Sequence, residues 1–256
     1  MAEPEQRCAL VTGAARRIGR AIALDLAHHG WAVAIHYRGS KDDAERVAEE
    51  ARAGGSRALA IAADLGREAE AAALVPRAVE ALGPLACLVN NAAVFEADSA
   101  ASATRESWDA HMEVNLRAPF VLTQAFAAQL PADRHGNVVN ILDQRVWNPT
   151  PDFLSYTVSK CALWTLTRTL ALALAPRIRV NAVGPGPTLK SRRQSDHQFA
   201  EQWAGMPLGR GSTPAEVADA VRFILASPAM TGQMIALDGG QHLGWALQAH
   251  APALEE

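Results

Sequence analysis

The stretch Arg7-Cys-Ala-Leu-Val-Thr-Gly-Ala-Ala-Arg-Arg-Ile-Gly19 joins an apolar run to a glycine-containing turn. A helical pattern of apolar residues begins directly after it. A turn of this kind lets the backbone approach a pyrophosphate, which meets the free N–H groups and positive dipole end of the following helix. Gly13 and Gly19 are suited to this approach, although glycine also occurs in such turns for steric reasons alone. The stretch therefore predicts a strand, a candidate phosphate-binding turn and a helix.

Outward from this turn, apolar runs rich in Val, Ile and Ala alternate with longer segments whose apolar residues recur every three or four positions. This alternation is typical of parallel βα units. The predicted strands are Arg7–Thr12, Trp31–Tyr37, Arg57–Ala62, Leu85–Asn90, Asn137–Leu142, Ile178–Val183 and Met234–Leu237. The predicted helices are Arg17–His29, Asp42–Ala53, Glu68–Leu82, Thr104–Gln129, Phe153–Leu174 and Pro214–Ala226. The sequence thus predicts one α/β domain over residues 1–256, a seven-stranded parallel sheet with helices on both faces.

One long irregular segment interrupts this pattern before the last predicted helix. Residues 187–212 contain two prolines and several polar and aromatic side chains, among them Lys190, Arg192, Arg193, His197 and Trp203. Long segments of this kind more often have a function than serve only as connecting loops, so we expect a substrate lid here. A solvated surface is the alternative for each charged residue taken singly.

Composition excludes several classes of protein. The 256 residues carry 24 Lys and Arg against 27 Asp and Glu, a formal net charge of −3, which offers no basic surface for nucleic acid or an anionic membrane. No apolar run approaches the roughly 20 residues of a bilayer span. The acidic start and three widely spaced cysteines indicate a soluble, reduced, cytoplasmic protein, and the histidines show no metal-like grouping.

The end of the second predicted strand bears on the choice of cofactor. It reads Ala34-Ile-His-Tyr-Arg-Gly-Ser-Lys41, with no acidic residue before Asp42. An acid here typically holds the ribose hydroxyls of NAD, whereas a cation takes the 2′-phosphate of NADP. Arg38, Ser40 and Arg17 can together bind such a phosphate, so NADPH is the expected cofactor; a solvated loop is the alternative for Arg38. Asp64 is a candidate acceptor for the adenine amino group or a helix cap.

A second set of motifs points to proton transfer. Tyr156 and Lys160 lie one turn apart on one face of an apolar helix, where an ammonium can lower the pKa of a phenol. Asn90-Asn-Ala-Ala93 closes the fourth predicted strand, and Asn115 follows within a predicted helix. Val180-Asn-Ala-Val-Gly-Pro-Gly186 and Leu237-Asp-Gly-Gly240 come later in the chain.

In order and spacing, these motifs resemble the short-chain dehydrogenase/reductase family over the whole chain. The resemblance implies a single Rossmann domain, a nicotinamide cofactor, Tyr156 as proton donor, Lys160 binding the nicotinamide ribose and lowering the pKa of the tyrosine, and Asn115 in a proton relay. It implies a cofactor site made of Gly13, Arg16, Arg17, Ile18, Gly19, His36, Tyr37, Arg38, Ser40, Asp64, Leu65, Asn91, Ala92, Ala93, Tyr156, Lys160, Pro185, Gly186 and Thr188. Pairing of two long helices across subunits implies a homotetramer.

Two residues depart from the common family pattern. Arg17 stands at the middle glycine of the turn, and Asp143 stands at the catalytic serine, thirteen residues before Tyr156. Both features are similar to the pteridine reductase branch, which includes dihydromonapterin reductases and stacks its pterin on an aromatic residue at the position of Phe95. Ordinary core packing is the alternative for Phe95. Ala93 replaces a serine of that branch, and Arg38 is displaced by one residue.

The aspartate has a chemical interpretation of its own. An ionised carboxylate only accepts hydrogen bonds, so Asp143 would repel a developing alkoxide, although a strand-end turn is its structural alternative. A proton on Asp143, or relayed through Tyr156, can reach a ring nitrogen while hydride reaches the neighbouring carbon. The leading hypothesis is NADPH-dependent reduction of a dihydropterin C=N bond, with Phe95, Asp143 and Tyr156 contacting the substrate. The alternatives are a reductase or dehydrogenase of another small carbonyl or alcohol, such as a 3-oxoacyl thioester or sugar, and last a non-catalytic NADP-sensing protein.

Overall fold

Seven parallel strands form one sheet in the computed structural model, which describes residues 7–191 and 193–244. The strand order is β3-β2-β1-β4-β5-β6-β7. The strands are β1 Cys8–Val11, β2 Ala32–Tyr37, β3 Ala58–Ala62, β4 Leu85–Asn90, β5 Gly136–Ile141, β6 Ile178–Pro185 and β7 Met234–Leu237. The order reverses between β1 and β4, and the predicted parallel sheet is confirmed.

Eight α-helices occur in the described residues. They are α1 Arg17–His28, α2 Lys41–Ala53, α3 Glu68–Leu82, α4 Arg105–Met112, α5 Ala118–Gln129, α6 Leu154–Leu174, α7 Asp196–Ala204 and α8 Pro214–Ala226. No helix of the described chain has both the length and the apolar character needed to cross a bilayer.

Helices cover both faces of the sheet, because side chains alternate along each strand. Ala9 and Val11 of β1 pack in a buried cluster with residues of α1, α2 and α8. Leu10, between them in sequence, packs in a second cluster with residues of α3, α5 and α6. The two apolar cores hold the strands so that their carboxyl ends meet at one edge.

The predicted helix Thr104–Gln129 is wrong as a single element. α4 ends at Met112, and a π-helical turn spans Glu113–Arg117 before α5 begins. Pro119 has no amide hydrogen for the carbonyl of Asn115 four residues earlier, which breaks the regular ladder. The amide of Ala118 instead bonds to Glu113 O, five residues back. The irregular turn places Asn115 in the interior.

α7 is a helix that the sequence analysis did not predict, within the expected lid. Ser195 Oγ accepts from the Gln198 amide at 3.1 Å, and the Gln198 side chain accepts from the Ser195 amide at 2.9 Å. This reciprocal pattern is a capping box, whose Ser-x-x-Gln signature is present in the sequence. Arg192, one of the cations noted in this segment, lies outside the described residues.

Candidate active site

The candidate site lies at the carboxyl edge of the sheet, where the strand order reverses. In an open parallel sheet the crevice at such a reversal is where ligands bind. The predicted turn follows β1, Asn91 follows β4, Asp143 lies just beyond β5, and Gly186 follows β6. The topology therefore brings segments far apart in sequence to one edge.

Two glycines make the turn after β1 possible. Gly13 has φ +62°, and a Cβ there would lie 3.0 Å from Ala92 Cα. A Cβ at Gly19 would collide with Gly13 O and with the Asn91 side-chain amide. Asn91 Nδ2 donates to Thr12 O at 2.8 Å and to Gly13 O at 3.2 Å. Both glycines therefore allow α1 and the end of β4 to pack closely against this turn.

Arg17 connects the turn to the segment after β6. Its backbone is left-handed, with φ +57°, at the position that is usually glycine. Its guanidinium donates to Leu189 O at 3.1 Å and to Lys190 O at 3.0 Å. The side chain thus links the first βα turn to the expected lid.

A cleft rich in arginine lies between α1 and α2, beside the end of β2. It is lined by Ala15, Arg16, Arg17, Arg20, Asp43, Arg46, Val47 and Glu50. Arg16 and Arg46 both pair with Asp43, and the Arg16 hydrogen bond lowers the pKa of this aspartate. At the end of β2, Arg38 is exposed and Ser40 half-buried. Of the three residues expected at a 2′-phosphate, Arg17 thus lines this cleft, whereas Arg38 and Ser40 are not among its lining residues.

His36, expected among the cofactor-binding residues, makes two hydrogen bonds within the protein. Its Nδ1 accepts from Gly13 N at 3.0 Å, and its Nε2 donates to Ala63 O at 3.0 Å. Burial lowers the pKa of His36 from 6.5 to about 4, so the ring is neutral near pH 7. It joins the candidate phosphate-binding turn to the end of β3.

This buried ring predicts a specific acid sensitivity. The unfolded chain binds a proton at His36 below pH 6.5, whereas the folded chain does so only below about pH 4. The contribution of His36 to the free energy of unfolding is therefore intact above pH 6.5 and is lost as the pH falls toward 4. Between pH 7 and pH 5 the free energy of unfolding should drop by about 2 kcal/mol more in the wild type than in His36→Gln, which keeps a donor and an acceptor but does not titrate. Urea denaturation of both proteins at the two pH values measures the difference. Parallel pH dependence in the two proteins would contradict the assignment.

The remaining residues expected at the cofactor lie at the same edge in varied settings. Asp64 Oδ1 accepts from Gly66 N at 3.0 Å in the turn before α3, whose N-cap is Arg67 and not Asp64. Thr188 Oγ1 lies 2.8 Å from Ser212 Oγ. Leu65 and Pro185 are buried, whereas Ile18, Tyr37, Ala92 and Gly186 are half-buried and Ala93 is exposed.

Tyr156 and Asp143 are in direct contact. Tyr156 Oη donates to Asp143 Oδ2 at 3.0 Å, and Asp143 Oδ1 accepts from the Arg145 amide at 2.9 Å. Lys160 Nζ, in a side chain only 2% exposed, donates to Ile141 O at 2.7 Å and lies 5.8 Å from the centre of the Tyr156 ring. α6 supplies the tyrosine and lysine, and the end of β5 supplies the aspartate.

The electrostatics of the tyrosine differ from the family expectation. Burial raises the pKa of Tyr156 well above 10, and the nearby Asp143 charge raises it further, whereas Arg145 lowers it. Burial lowers the pKa of Lys160 to about 8, against an opposing effect of Asp143. The expected lowering of the tyrosine pKa by the lysine is therefore outweighed in this structure, because an ionised phenol would lie beside a carboxylate. The phenol holds its proton.

Asn115 occupies the π-helical turn and is fully buried. Its Oδ1 accepts from Val94 N at 2.8 Å, and its Nδ2 donates to Val94 O at 2.9 Å and to Ser159 Oγ at 3.0 Å. Ser159 Oγ in turn donates to Tyr156 O at 2.7 Å. Asn115 thus binds both the segment after β4 and the first turns of α6.

The Phe95 ring, expected to stack on the pterin, contacts two aromatic rings of the protein. Its ring stacks on Phe153 with centroids 4.3 Å apart and planes 7° apart, and it meets Tyr156 edge to face at 4.6 Å. Phe153 itself has a left-handed backbone with φ +58° at the start of α6. One face of Phe95 is therefore occupied by another aromatic ring.

Asp98 is a site residue that sequence reasoning missed. Its Oδ1 accepts from Ser155 N at 3.0 Å, and its Oδ2 accepts from Ser107 Oγ at 3.1 Å. Although burial alone would raise the pKa of Asp98, hydrogen bonds from Ser155 and Ser107 lower it. The carboxylate caps the helix that carries Tyr156 from 57 residues away, so no local sequence signal reveals it.

Comparison with known proteins extends this description. A family model described as enoyl-(acyl carrier protein) reductase matches residues 13–242. The chain is 34% identical over 242 residues to the 3-oxoacyl-[acyl-carrier-protein] reductase FabG of Staphylococcus epidermidis, covering 93% of this chain and 99% of the relative. The crystal structure of FolM alternative dihydrofolate reductase 1 from Brucella suis in complex with NADP has a TM-score of 0.91 and 49% identity, covering 94% of this chain and 96% of that one. The FolM structure from Brucella canis, also with NADP, gives 0.91 and 47%, covering 97% of each chain.

Proposed function

The chain belongs to the short-chain dehydrogenase/reductase family, and from this premise we propose that it is an NADPH-dependent reductase of a dihydropterin, acting on the ring C=N bond. The observation that carries the proposal is the 3.0 Å hydrogen bond from Tyr156 Oη to Asp143, which stands where the family has serine. The two FolM structures, at 47% and 49% identity, support the same branch.

NADPH fits the donor set at the carboxyl edge. The glycine turn brings backbone N–H groups and the start of α1 to the crevice, which suits a pyrophosphate. Arg16, Arg17, Arg38 and Ser40 would hold the 2′-phosphate, Asn91 and Ala92 would line the crevice beside the turn, and Lys160 would bind the nicotinamide ribose. When bound, NADPH supplies the hydride for the ring carbon.

The proton for the ring nitrogen comes from the Tyr156–Asp143 pair. Tyr156 stays a phenol because its pKa is raised by burial and by the aspartate. Tyr156 transfers its proton to the nitrogen, and Asp143, a carboxylate at rest, takes up a proton from solvent and returns it to Tyr156 Oη, so no phenolate remains beside a carboxylate. Asn115 and Ser159 position α6, and the Lys160 ammonium offsets the carboxylate charge.

Reduction of a 3-oxoacyl thioester is the second candidate, because the FabG relative is 34% identical over almost its whole length. A ketone reductase needs donors around the developing alkoxide, and serine supplies one. Asp143 accepts from both Tyr156 and the Arg145 amide. The acceptor character of this side chain favours the pterin over the thioester.

Loss of absorbance at 340 nm tests the proposed function. The purified protein is mixed with NADPH and 7,8-dihydrobiopterin or dihydrofolate, alongside acetoacetyl thioester and a panel of simple ketones. Turnover of the dihydropterins above that of the ketones is expected. Activity on the thioester or ketones alone would replace the proposal by the second candidate, and NADPH binding without any turnover would favour a sensor.

Cofactor preference gives a further prediction. Replacing Arg38 by Asp introduces a charge that repels a 2′-phosphate and accepts from ribose hydroxyls, so the ratio of kcat/KM for NADPH over NADH should fall by about 100-fold. Steady-state kinetics with both cofactors measure the ratio. Arg52→Asp, which makes the same change at the end of α2 where the wild-type arginine donates to Ala58 O, is the control. An unchanged ratio in Arg38→Asp would remove that residue from the phosphate site.

Three further features belong to the same proposal. Residues 187–212 form the substrate lid, supported by the Arg17 contacts to Leu189 and Lys190. The protein is a homotetramer, supported by exposed apolar side chains on α6 such as Leu172. A cytoplasmic location is supported by the three free cysteines. Light scattering and cell fractionation test the last two.

A further inference from the structure

Arg145 is a partly buried cation at the centre of the site. It follows Asp143 by two residues, in the short helical turn Gln144–Val146, and its side chain is 18% exposed. Its Cζ lies 5.5 Å from the centre of the Phe95 ring and 5.3 Å from that of Phe153. Because the two distances are nearly equal, the guanidinium lies beside the stacked pair, close to the proposed substrate site.

One hydrogen-bond donor of the Arg145 guanidinium has no acceptor among the described residues. Arg145 Nε is fully buried and has no hydrogen-bond acceptor among the described residues. Its Nη1 lies 3.6 Å from Asp143 Oδ2, an ion pair beyond hydrogen-bond length. A buried donor without an acceptor is costly and rare in folded proteins. The other side-chain nitrogens of Arg145 also make no hydrogen bond within the described residues, and 18% of the side chain is exposed, so an acceptor from outside the chain can reach the guanidinium.

The chemistry of a dihydropterin identifies that acceptor. In a 7,8-dihydropterin the C=N nitrogen faces the 4-oxo oxygen across the ring fusion. A site that protonates this nitrogen therefore needs a donor immediately next to the proton-transferring group. Arg145 is such a donor, because its Nη1 lies 3.6 Å from Asp143 Oδ2. Resting on the proposed function, we propose that Arg145 determines specificity by donating to the ring oxo oxygen of the substrate.

A substrate carboxylate is the competing acceptor, since guanidinium also suits that group. The second arginine near Phe95 is Arg193, which pairs with Glu96 and whose Nη1 lies 3.4 Å from Phe95 O. Unlike Arg145, it already donates hydrogen bonds to groups of the chain, and its exposed position suits the rim of the site. Arg193 therefore serves as the matched control for loss of a cation near the same aromatic ring.

The test compares 7,8-dihydrobiopterin with its 4-amino analogue, which replaces the acceptor oxygen by a donor. The wild type should prefer the oxo compound in kcat/KM by about 100-fold, because a charged donor facing an amino group is left unsatisfied. Arg145→Met should reduce this preference to about threefold, mainly because kcat/KM for the oxo compound falls. Arg145→Lys, which keeps the charge, should retain an intermediate preference, and Arg193→Met should retain all of it. Circular dichroism checks that each variant is folded.

Each other outcome overturns the inference. An unchanged preference in Arg145→Met means that the arginine does not bind the oxo group. A loss seen with dihydrofolate but not with dihydrobiopterin assigns Arg145 to the glutamate carboxylates of the former. A wild type that reduces no dihydropterin overturns the proposed function itself, which separates that failure from failure of Arg145.

Discussion

Asp143→Asn should lower kcat/KM for a 7,8-dihydropterin about 100-fold or more, the scale of a lost acid–base group. Asparagine keeps the size and the acceptor for the Arg145 amide but takes up no proton to pass to Tyr156. The binding of NADPH should be unchanged, because no phosphate-binding residue is altered. Stopped-flow measurement of NADPH oxidation, with cofactor affinity from fluorescence titration, separates the two effects.

Asp143→Ser is the informative companion to this variant. Serine restores the donor that the family uses toward a ketone oxygen, so dihydropterin turnover should fall as in Asp143→Asn while activity on acetoacetyl thioester appears or rises. Equal dihydropterin activity in the wild type and both variants would mean that Asp143 takes no part in proton transfer. A gain with serine but not asparagine would show that the donor, and not the loss of charge, changes the substrate.

Lys160 should set the alkaline limit of activity. Burial lowers its pKa to about 8, so the ammonium is present below that pH and is lost above it. The pKa of Tyr156 lies well above 10, so the phenol keeps its proton throughout this range. We expect the kcat/KM of the wild type to decline as the pH rises, with an apparent pKa near 8. In Lys160→Met, kcat/KM should be about 100-fold lower and should no longer show this decline. Initial rates from pH 6 to pH 10 measure both.

Lys160→Arg is the matched variant, because guanidinium stays charged over the whole range. Its activity should be lower, since the donor no longer fits against Ile141 O, but it should show no decline near pH 8. A limb near pH 8 that persists in Lys160→Arg would assign the titration to another group. A limb appearing only above pH 10 would mean that the ammonium is not required.

Local patterns were sufficient for most of the architecture. Alternating apolar segments predicted seven parallel strands, and each predicted strand overlaps one in the structure. The glycine turn, Tyr156, Lys160 and the unusual Asp143 are all visible in sequence, because strand, turn and helix-face patterns depend on neighbours within a few residues. The helix across Pro119 was wrong for the same local reason, since its apolar pattern continues although its hydrogen-bond ladder does not.

The tertiary structure decided which side chains face each other, and with that their chemistry. Asp98 accepts a hydrogen bond from the start of α6, 57 residues away, and both ring nitrogens of His36 form hydrogen bonds, with Gly13 and Ala63. The sequence paired Tyr156 with Lys160, yet burial and Asp143 dominate the tyrosine pKa. A sequence determines which groups are available, whereas desolvation and charge interactions depend on distances that only folding sets.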